Sequence, residues 1–328
     1  MIRHKMTNKE KYQQLCETKA KIPLFLHYWW MEAVCTKAQK EWDVLLYEKN
    51  DRIVAALPYH FITKCGFRMI LQPQLTQYSG IWIDYPAEQA AKEKMSFEEE
   101  ASTAIIHQLQ SVKWAYYTQH FHFSLTNWLP FYWEGFSQTT RYTYRIENIA
   151  DTKSVFDNFH KSKQKHIRKA TNNLHLDLSL SASDFYDFLQ HTIRQKNEDV
   201  LCSKLFLESV YSEAKKRSQV QIFAVRNEEN RLCSAMYVVW DSASSYYLSS
   251  AIDKEYRHTG ASSLMVWEAI QFLSNKTRSF DFEGSMIKGV AKANQEFGAV
   301  QTPYFCLSAS RKGFFEVLFT LYKSLWNK

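Results

Sequence analysis

Two stretches of the chain are built alike although they lie far apart: VLLYEKNDRIVAALPYHF (Val44–Phe61) and IFAVRNEENRLCSAMYVVW (Ile222–Trp240). Each is an apolar run, a charged turn holding Asn, Asp or Glu, an Arg followed by an apolar residue, and a second run rich in small apolar side chains. Arg52 matches Arg231 and Ala56 matches Ala235. Strand-forming runs joined by such a turn read as β-hairpins. A hairpin that occurs twice argues for two similar halves rather than one continuous domain.

The flanking segments repeat as well. Ahead of the first hairpin, KEKYQQLCETKAKIPLFLHYWWMEAVCTKAQKE has apolar positions at helical spacing, a break at Pro23 and a second helical stretch. Ahead of the second, SDFYDFLQHTIRQKNEDVLCSKLFLESVYSEAKKR has the same layout, opened by Ser-Asp. Further on, FYWEGF (Phe131–Phe136) echoes FDFEGS (Phe280–Ser285), and each precedes a tyrosine-bearing strand, RYTYRI or TPYFCL. The expected fold is therefore mixed α/β, the product of an old duplication, with domains over residues 1–150 and 151–328.

Composition narrows the class. The chain has 328 residues and is 45% hydrophobic, with 10 Trp, 19 Tyr and 22 Phe, enough to fill a core and still line a cleft. The six cysteines are scattered, none forms a C-x-x-C, and no His completes a zinc pattern. They read as reduced thiols of a cytoplasmic protein, and no metal is expected. The first residues, MIRHKMTNKEKYQQL, lack the apolar core of a signal peptide. No apolar run reaches the ~18–20 residues of a spanning helix. The net charge of +7 is mild, and suits a phosphate-bearing ligand without demanding one.

Glycine is scarce. There are 8, where an average composition of ~7% would give about twenty-three, and three of them fall in FDFEGSMIKGVAKANQEFGA (Phe280–Ala299). In FDFEGS, period-two alternation sends Phe280 and Phe282 to one face and Asp281 and Glu283 to the other. Gly284 ends the strand where a side chain would crowd the backbone or a ligand. A second glycine motif is RHTGAS, Arg257–Ser262, between the strand-like YYLSSAID and the helical SLMVWEAIQFL. A loop entering a helix offers unpaired N–H groups and the positive end of the helix dipole, which suits a pyrophosphate.

These residues resemble the GNAT superfamily, and the chain as a whole resembles the Fem-type peptidyltransferases and their tandem-GNAT relatives. KSKQKHIRKATNNLHLDLS is similar to the basic helix and strand that open their second domain. YYLSSAIDKEYRHTGASSLMVWEAIQFL is similar to the strand, loop and helix of the donor site. FDFEGS with a downstream Phe-Gly is similar to their Asp-Phe-x-Gly-Ser stretch. The acyl-CoA loop of the superfamily is R/Q-x-x-G-x-G/A. Arg257 and Gly260 fit it, while Ser262 departs from it.

The resemblance implies two tandem GNAT-like domains facing across one cleft. It implies an N-acyltransferase with the donor, acyl-CoA or aminoacyl-tRNA, held by the second half at Arg257, His258, Thr259, Gly260, Ala261 and Ser262. Glu283 or Asp281 is expected to position or deprotonate the amine, and Tyr304 to act as an acid or a pocket wall. In the first half, Trp29, Trp30, Tyr78 and Gly80 are candidates for an acceptor pocket, with core packing the simpler reading of the tryptophans. Lys165, Arg168 and Lys169, in a run of bases at helical spacing, are candidates for phosphate contacts, on tRNA for example. The apolar and basic C-terminal segment RKGFFEVLFTLYKSLWNK either packs on the protein or lies on a membrane near a lipid-linked acceptor on a cell-envelope precursor. The competing class is an inactive member that binds a nucleotide-sugar or RNA.

Overall fold

The computed structural model describes residues 6–19, 21–36, 41–64, 66–195, 200 and 202–311. The C-terminal segment expected to pack or to meet a membrane lies, beyond Arg311, outside them. Contacts divide the chain into two units, Tyr142–Pro303 and the rest, the latter joining residues up to Arg141 with those from Tyr304 on. The sequence places a boundary near 150; the contact division falls at Tyr142, and it returns the end of the chain to the first unit.

The first half of the chain runs α1 (Asn8–Thr18), a 3-10 turn (Leu24–Leu26), α2 (Tyr28–Cys35), β1 (Glu41–Lys49), β2 (Arg52–Lys64), β3 (Phe67–Leu71), β4 (Trp82–Ile83), α3 (Ala91–Ser111), β5 (Tyr116–His120), α4 (Leu129–Trp133) and β6 (Ser137–Ile146). The second half continues with α5 (Thr152–Asp157), α6 (Lys161–Ala170), β7 (Leu174–Asp177), α7 (Ala182–Arg194), α8 (Lys204–Lys215), β8 (Val220–Asn227), β9 (Leu232–Trp240), β10 (Ser244–Ile252), α9 (Ala261–Leu273), β11 (Ser279–Asp281), α10 (Lys288–Gln295) and β12 (Val300–Ser310).

Both hairpins form. β1 and β2 pair antiparallel across Asn50 and Asp51, which both take positive φ, 51° and 57°. Asn and Asp tolerate that conformation, and a two-residue turn matched to strand twist requires it. β8 and β9 pair antiparallel likewise. In the first unit the sheet order is β1-β2-β3-β5 and then the end of β12, with β4 beside β2. In the second it is the end of β6, then β11-β10-β9-β8-β7. β3 runs parallel to β5, and β10 runs parallel to β11.

One internal match fails. Phe131–Phe136 is not a second copy of Phe280–Ser285, because Pro130 starts the short helix α4 there. Proline suits the first helical turn, where its missing N–H has no partner to lose. The counterpart of β11 is β5, which likewise follows a long helix and joins the sheet in parallel. Each half thus repeats two helices, hairpin, strand, helix, parallel strand, short helix and closing strand, with α5, α6 and β7 added at the start of the second.

The core of the second unit centres on α9. Ala261, Leu264, Met265, Val266, Ala269, Ile270 and Leu273 are all buried on it. They pack with Phe223, Met236 and Val238 of the sheet and with Ile167 and Ala170 of α6. A helix apolar on most of its circumference belongs between layers rather than on a surface. That position fixes its N-terminus against the sheet, where the candidate site lies.

Candidate active site

β10 pairs with β11 only from Ser244–Ser279 to Tyr246–Asp281. Beyond that pair β10 continues to Ile252, while the other chain turns away. On its other edge β10 carries a bulge at Leu248, because Tyr247 opposes Val238 and Ser249 opposes Tyr237. A bulge adds a residue and bends the strand. The two strands therefore part, and backbone groups of β10 past Tyr246 have no ladder partner on the β11 side. A cavity of about 510 Å³ opens in this gap. Its walls include Tyr247, Leu248, Ser249 and Ser250 on one side and Phe282, Glu283 and Gly284 on the other. Ser262 and Val266 of α9, Lys163 of α6, Phe297, and α10 through Asn294 and its neighbours on the same helix also line it.

Asp281 and Glu283 do not share a face. Asp281 is fully buried, and its Oδ1 accepts from the Thr143 hydroxyl and from the backbone N–H of Glu283 at 2.8 Å. Arg145 Nε stands 3.7 Å from its other oxygen. Asp281 is thus a turn-builder, absent from the cavity lining. Its hydrogen bond to the residue two ahead helps to turn Glu283 out of strand geometry, to φ 57°. Alternation stops at Phe282, and Glu283 enters the cavity wall. Gly284 follows at φ 63°, and a Cβ there would overlap the carbonyl oxygen of Tyr142. Glycine is needed because the β6 backbone passes this close, rather than to admit a ligand.

Two polar atoms on the lining are closed to solvent and have no hydrogen-bond partner: Glu283 Oε1 and Asn294 Nδ2. One buried orphan costs about 1–3 kcal/mol, and both of these belong to residues of the cavity lining. Burial, reinforced by the nearby charge of Asp281, holds the Glu283 carboxyl well above the usual carboxylate range. Lys163 spans the rim, 3.5 Å from Glu296 and over the Phe297 ring at 4.8 Å.

The Arg257–Ser262 loop leads into α9 as expected. Thr259 donates to Tyr256 O, and the N–H of Ala261 reaches Thr259 Oγ1 at 3.3 Å. The N–H groups of Ser262 and Ser263 take no side-chain cap, and the first turn has no acidic residue. Ser262 lines the cavity, while Arg257 and His258 are exposed. Gly260, at φ 88°, has a different reason from the expected one: a Cβ would lie 2.7 Å from His166 O on α6. It lets α6 close on α9, so its replacement strains packing before it reaches any phosphate. On α6, Lys165, Arg168 and Lys169 are exposed.

The other candidates lie in the first unit. Trp30 and Tyr78 are completely buried, and Trp29 is 9% exposed. Phe25 stacks edge-on to Trp30 at 5.1 Å, and Tyr78 meets Tyr304 edge-on at 5.2 Å. Gly80 is filled by the Phe121 ring. These residues are packed in the core of the first unit. Tyr304 belongs to the same aromatic cluster and is not on the second unit's cavity. The sequence reading passed over Asn294; it took YYLSSAID as a splayed strand with free N–H groups, and the bulge at Leu248 lies in that strand, with Tyr247, Ser249 and Ser250 in the cavity wall.

Residues 158–292 match the family model of the acetyltransferase (GNAT) domain. The structure is similar to that of FemX (TM-score 0.68, 12% identity, 93% of this chain and 97% of that one). It is also similar to L-PGS from Bacillus licheniformis (TM-score 0.56, 10% identity, 96% of each chain) and to a tandem GNAT protein from the clavulanic acid biosynthesis pathway (0.52, 8%, 93% and 94%). A comparison with the curated proteins finds no match. The chain therefore has the fold of these tandem-GNAT proteins, and residues 158–292 match the GNAT acetyltransferase model. Among the described residues, no group of three or more His, Cys, Asp or Glu is placed to hold a metal, and no helix is long and apolar enough to cross a membrane.

Proposed function

We propose that the protein is an N-acyltransferase whose second unit binds an acyl donor in the cavity between β10 and β11 and passes the acyl group to a primary amine. The observation that carries this reading is the cavity itself: two parallel strands that part, orphaned polar atoms at Glu283 and Asn294, and a helix N-terminus at Ser262 opening into it. Transfer to an amine needs the carbonyl and the amine held together, and donors aimed at the oxygen where charge develops. The unpaired edge of β10 is suited to the second task. The uncapped turn of α9 is suited to the phosphates of acyl-CoA.

A second donor, aminoacyl-tRNA, is favoured by a separate observation: Lys165, Arg168 and Lys169 are exposed on α6, beside the start of α9. Incubating the protein with pools of acyl-CoA thioesters and of aminoacyl-tRNAs plus simple amines, with mass spectrometry of consumed donors, separates the two. Consumption of one class, reduced when Asn294 is replaced by Leu, supports the reading. No consumption of either class contradicts it.

A further inference from the structure

Past Gly284 the chain presents apolar side chains to solvent. Met286 and Ile287 are 62% and 68% exposed, and Val290 is 42% exposed. They straddle the start of α10, of which Asn294 is the one buried residue. Val290 also lines the cavity, as does Gly289, so the exposed apolar spot is continuous with the cavity wall. The charge around it has one sign. Lys288 and Lys292 are exposed on α10, and residues 284–295 contain no acid. The next acid, Glu296, is paired with Lys163. There α10 meets α6, where the His160 N–H donates to Glu296 O at 2.8 Å, and α6 adds exposed Lys161 and Lys165.

A stable protein interface buries roughly 800 Å² on each side and is depleted in lysine. Three apolar side chains interleaved with lysines do not fit that description. They suit the boundary of an anionic bilayer, where apolar groups enter the acyl region and ammonium groups stay with the headgroups. We propose that Met286, Ile287 and Val290, with Lys288 and Lys292, form a docking surface for an anionic lipid bilayer, which brings the cavity to molecules carried in the membrane. The surface goes beyond the acyl-transfer reading and does not depend on it: Met286, Ile287, Lys288 and Lys292 lie outside the cavity lining.

The test is co-sedimentation of the full chain with vesicles of phosphatidylcholine alone and of an equal mixture of phosphatidylcholine and phosphatidylglycerol. The wild type is expected to bind the anionic vesicles and not the neutral ones. Lys288→Gln with Lys292→Gln is expected to weaken that binding roughly tenfold or more. Met286→Ser with Ile287→Ser is expected to weaken it by a similar factor, roughly tenfold, although both lysines remain. Consumption of a donor with a soluble amine is expected to be unchanged in both double variants. No vesicle binding by the wild type, or binding that both variants retain, overturns the proposal and leaves acyl transfer intact. Loss in the lysine variant alone overturns it too, since a basic face without insertion would explain that result. Self-association abolished by Met286→Ser with Ile287→Ser, without vesicle binding, would assign the face to a second copy and also overturn it. Vesicle binding with the expected losses, in a protein that consumes no donor, contradicts acyl transfer and leaves the docking surface standing.

Discussion

The two units carry the same strand arrangement and treat it in opposite ways. In the second, β10 and β11 separate after Tyr246 and Asp281, and the gap is the cavity. In the first, β3 and β5 are followed by a seal. Ser79 bridges to Phe121, and its N–H reaches His120 O at 2.6 Å. Gln72 Oε1 accepts from the Ser79 hydroxyl at 2.7 Å and from the N–H of His120 at 2.9 Å. Phe121 fills the space over Gly80. The following helices differ in the same sense. α9 has a glycine N-cap and no acid in its first turn, whereas α3 starts with Glu93 folded back on the N–H of Ala90 at 3.2 Å. A carboxylate in that first turn occupies the place an anionic ligand would need. One architecture thus yields an open cavity in one copy and a closed core in the other, and the difference lies in a few side chains at the strand ends.

The largest expected effect breaks the open copy. Gly284→Ala meets the Tyr142 carbonyl from a left-handed backbone, and is expected to cost about 2–5 kcal/mol from strain and overlap together. Gly289→Ala, in α10 with no atom near its Cβ, is expected instead to stabilise by about 0.5–1 kcal/mol. Urea unfolding of both variants checks the contrast; equal effects would remove the close approach to β6 from the account.

A smaller change makes the open copy resemble the closed one. Ser262→Asp places an acid in the first turn of α9. It is expected to raise helix stability by about 0.3–1 kcal/mol while weakening donor binding by roughly tenfold or more. Opposite signs in calorimetry and thermal unfolding are the signature, and unchanged donor affinity would detach the helix start from the donor.

The two copies should also answer pH in opposite directions. Glu283 holds its proton more tightly folded than unfolded, so its contribution is complete below the unfolded carboxylate pKa and is lost as pH rises through the raised one. Glu283→Gln should therefore stabilise at high pH and have little effect in acid. His120, in the first unit, is pushed down to about 4, first by burial and then by the charge of Arg141. Unfolding releases it to bind protons below its ordinary value, so stability should climb between about pH 4 and 6.5 and His120→Gln should flatten that climb. Denaturation across pH for both variants reads the two signs; a matching sign for both would mean that burial does not govern them.

The smallest effect concerns the exposed bases. Replacing Lys165, Arg168 and Lys169 together by Ala should shift stability by less than about 0.5 kcal/mol per site. If tRNA is the donor, the steep salt dependence of its binding should flatten, and acyl-CoA binding should be unaffected. A flat salt dependence for tRNA in the wild type would leave those bases as a solvated face.

The fold was largely legible because it rests on local signals. The turns at Asn50–Asp51 and Asn227–Arg231 and the apolar periods of α1, α2, α7 and α8 are written in short windows. The false match of Phe131–Phe136 shows the limit: the Glu134–Gly135 dipeptide carries less information than Pro130 four residues upstream. At the site, the RHTGAS loop and Glu283 were readable as types. The reasons for Gly260 and Gly284 were not, because each is fixed by a backbone more than ninety residues away in sequence, at His166 and Tyr142. Asn294 escaped because its role depends on what fails to pair with it, which no spacing encodes. Trp30, Tyr78 and Tyr304 misled in the other direction, since aromatic residues suit a pocket wall and a packed core equally well.

The central claim is that only the second copy takes the donor. Hydrogen–deuterium exchange with and without a saturating amount of the donor that the protein consumes tests it most directly. The account predicts slowed exchange at 247–264 and 283–297, around β10, the start of α9 and Glu283, with none at 72–95, the corresponding stretch of the first unit. Protection at 72–95 in place of 247–264 would contradict it.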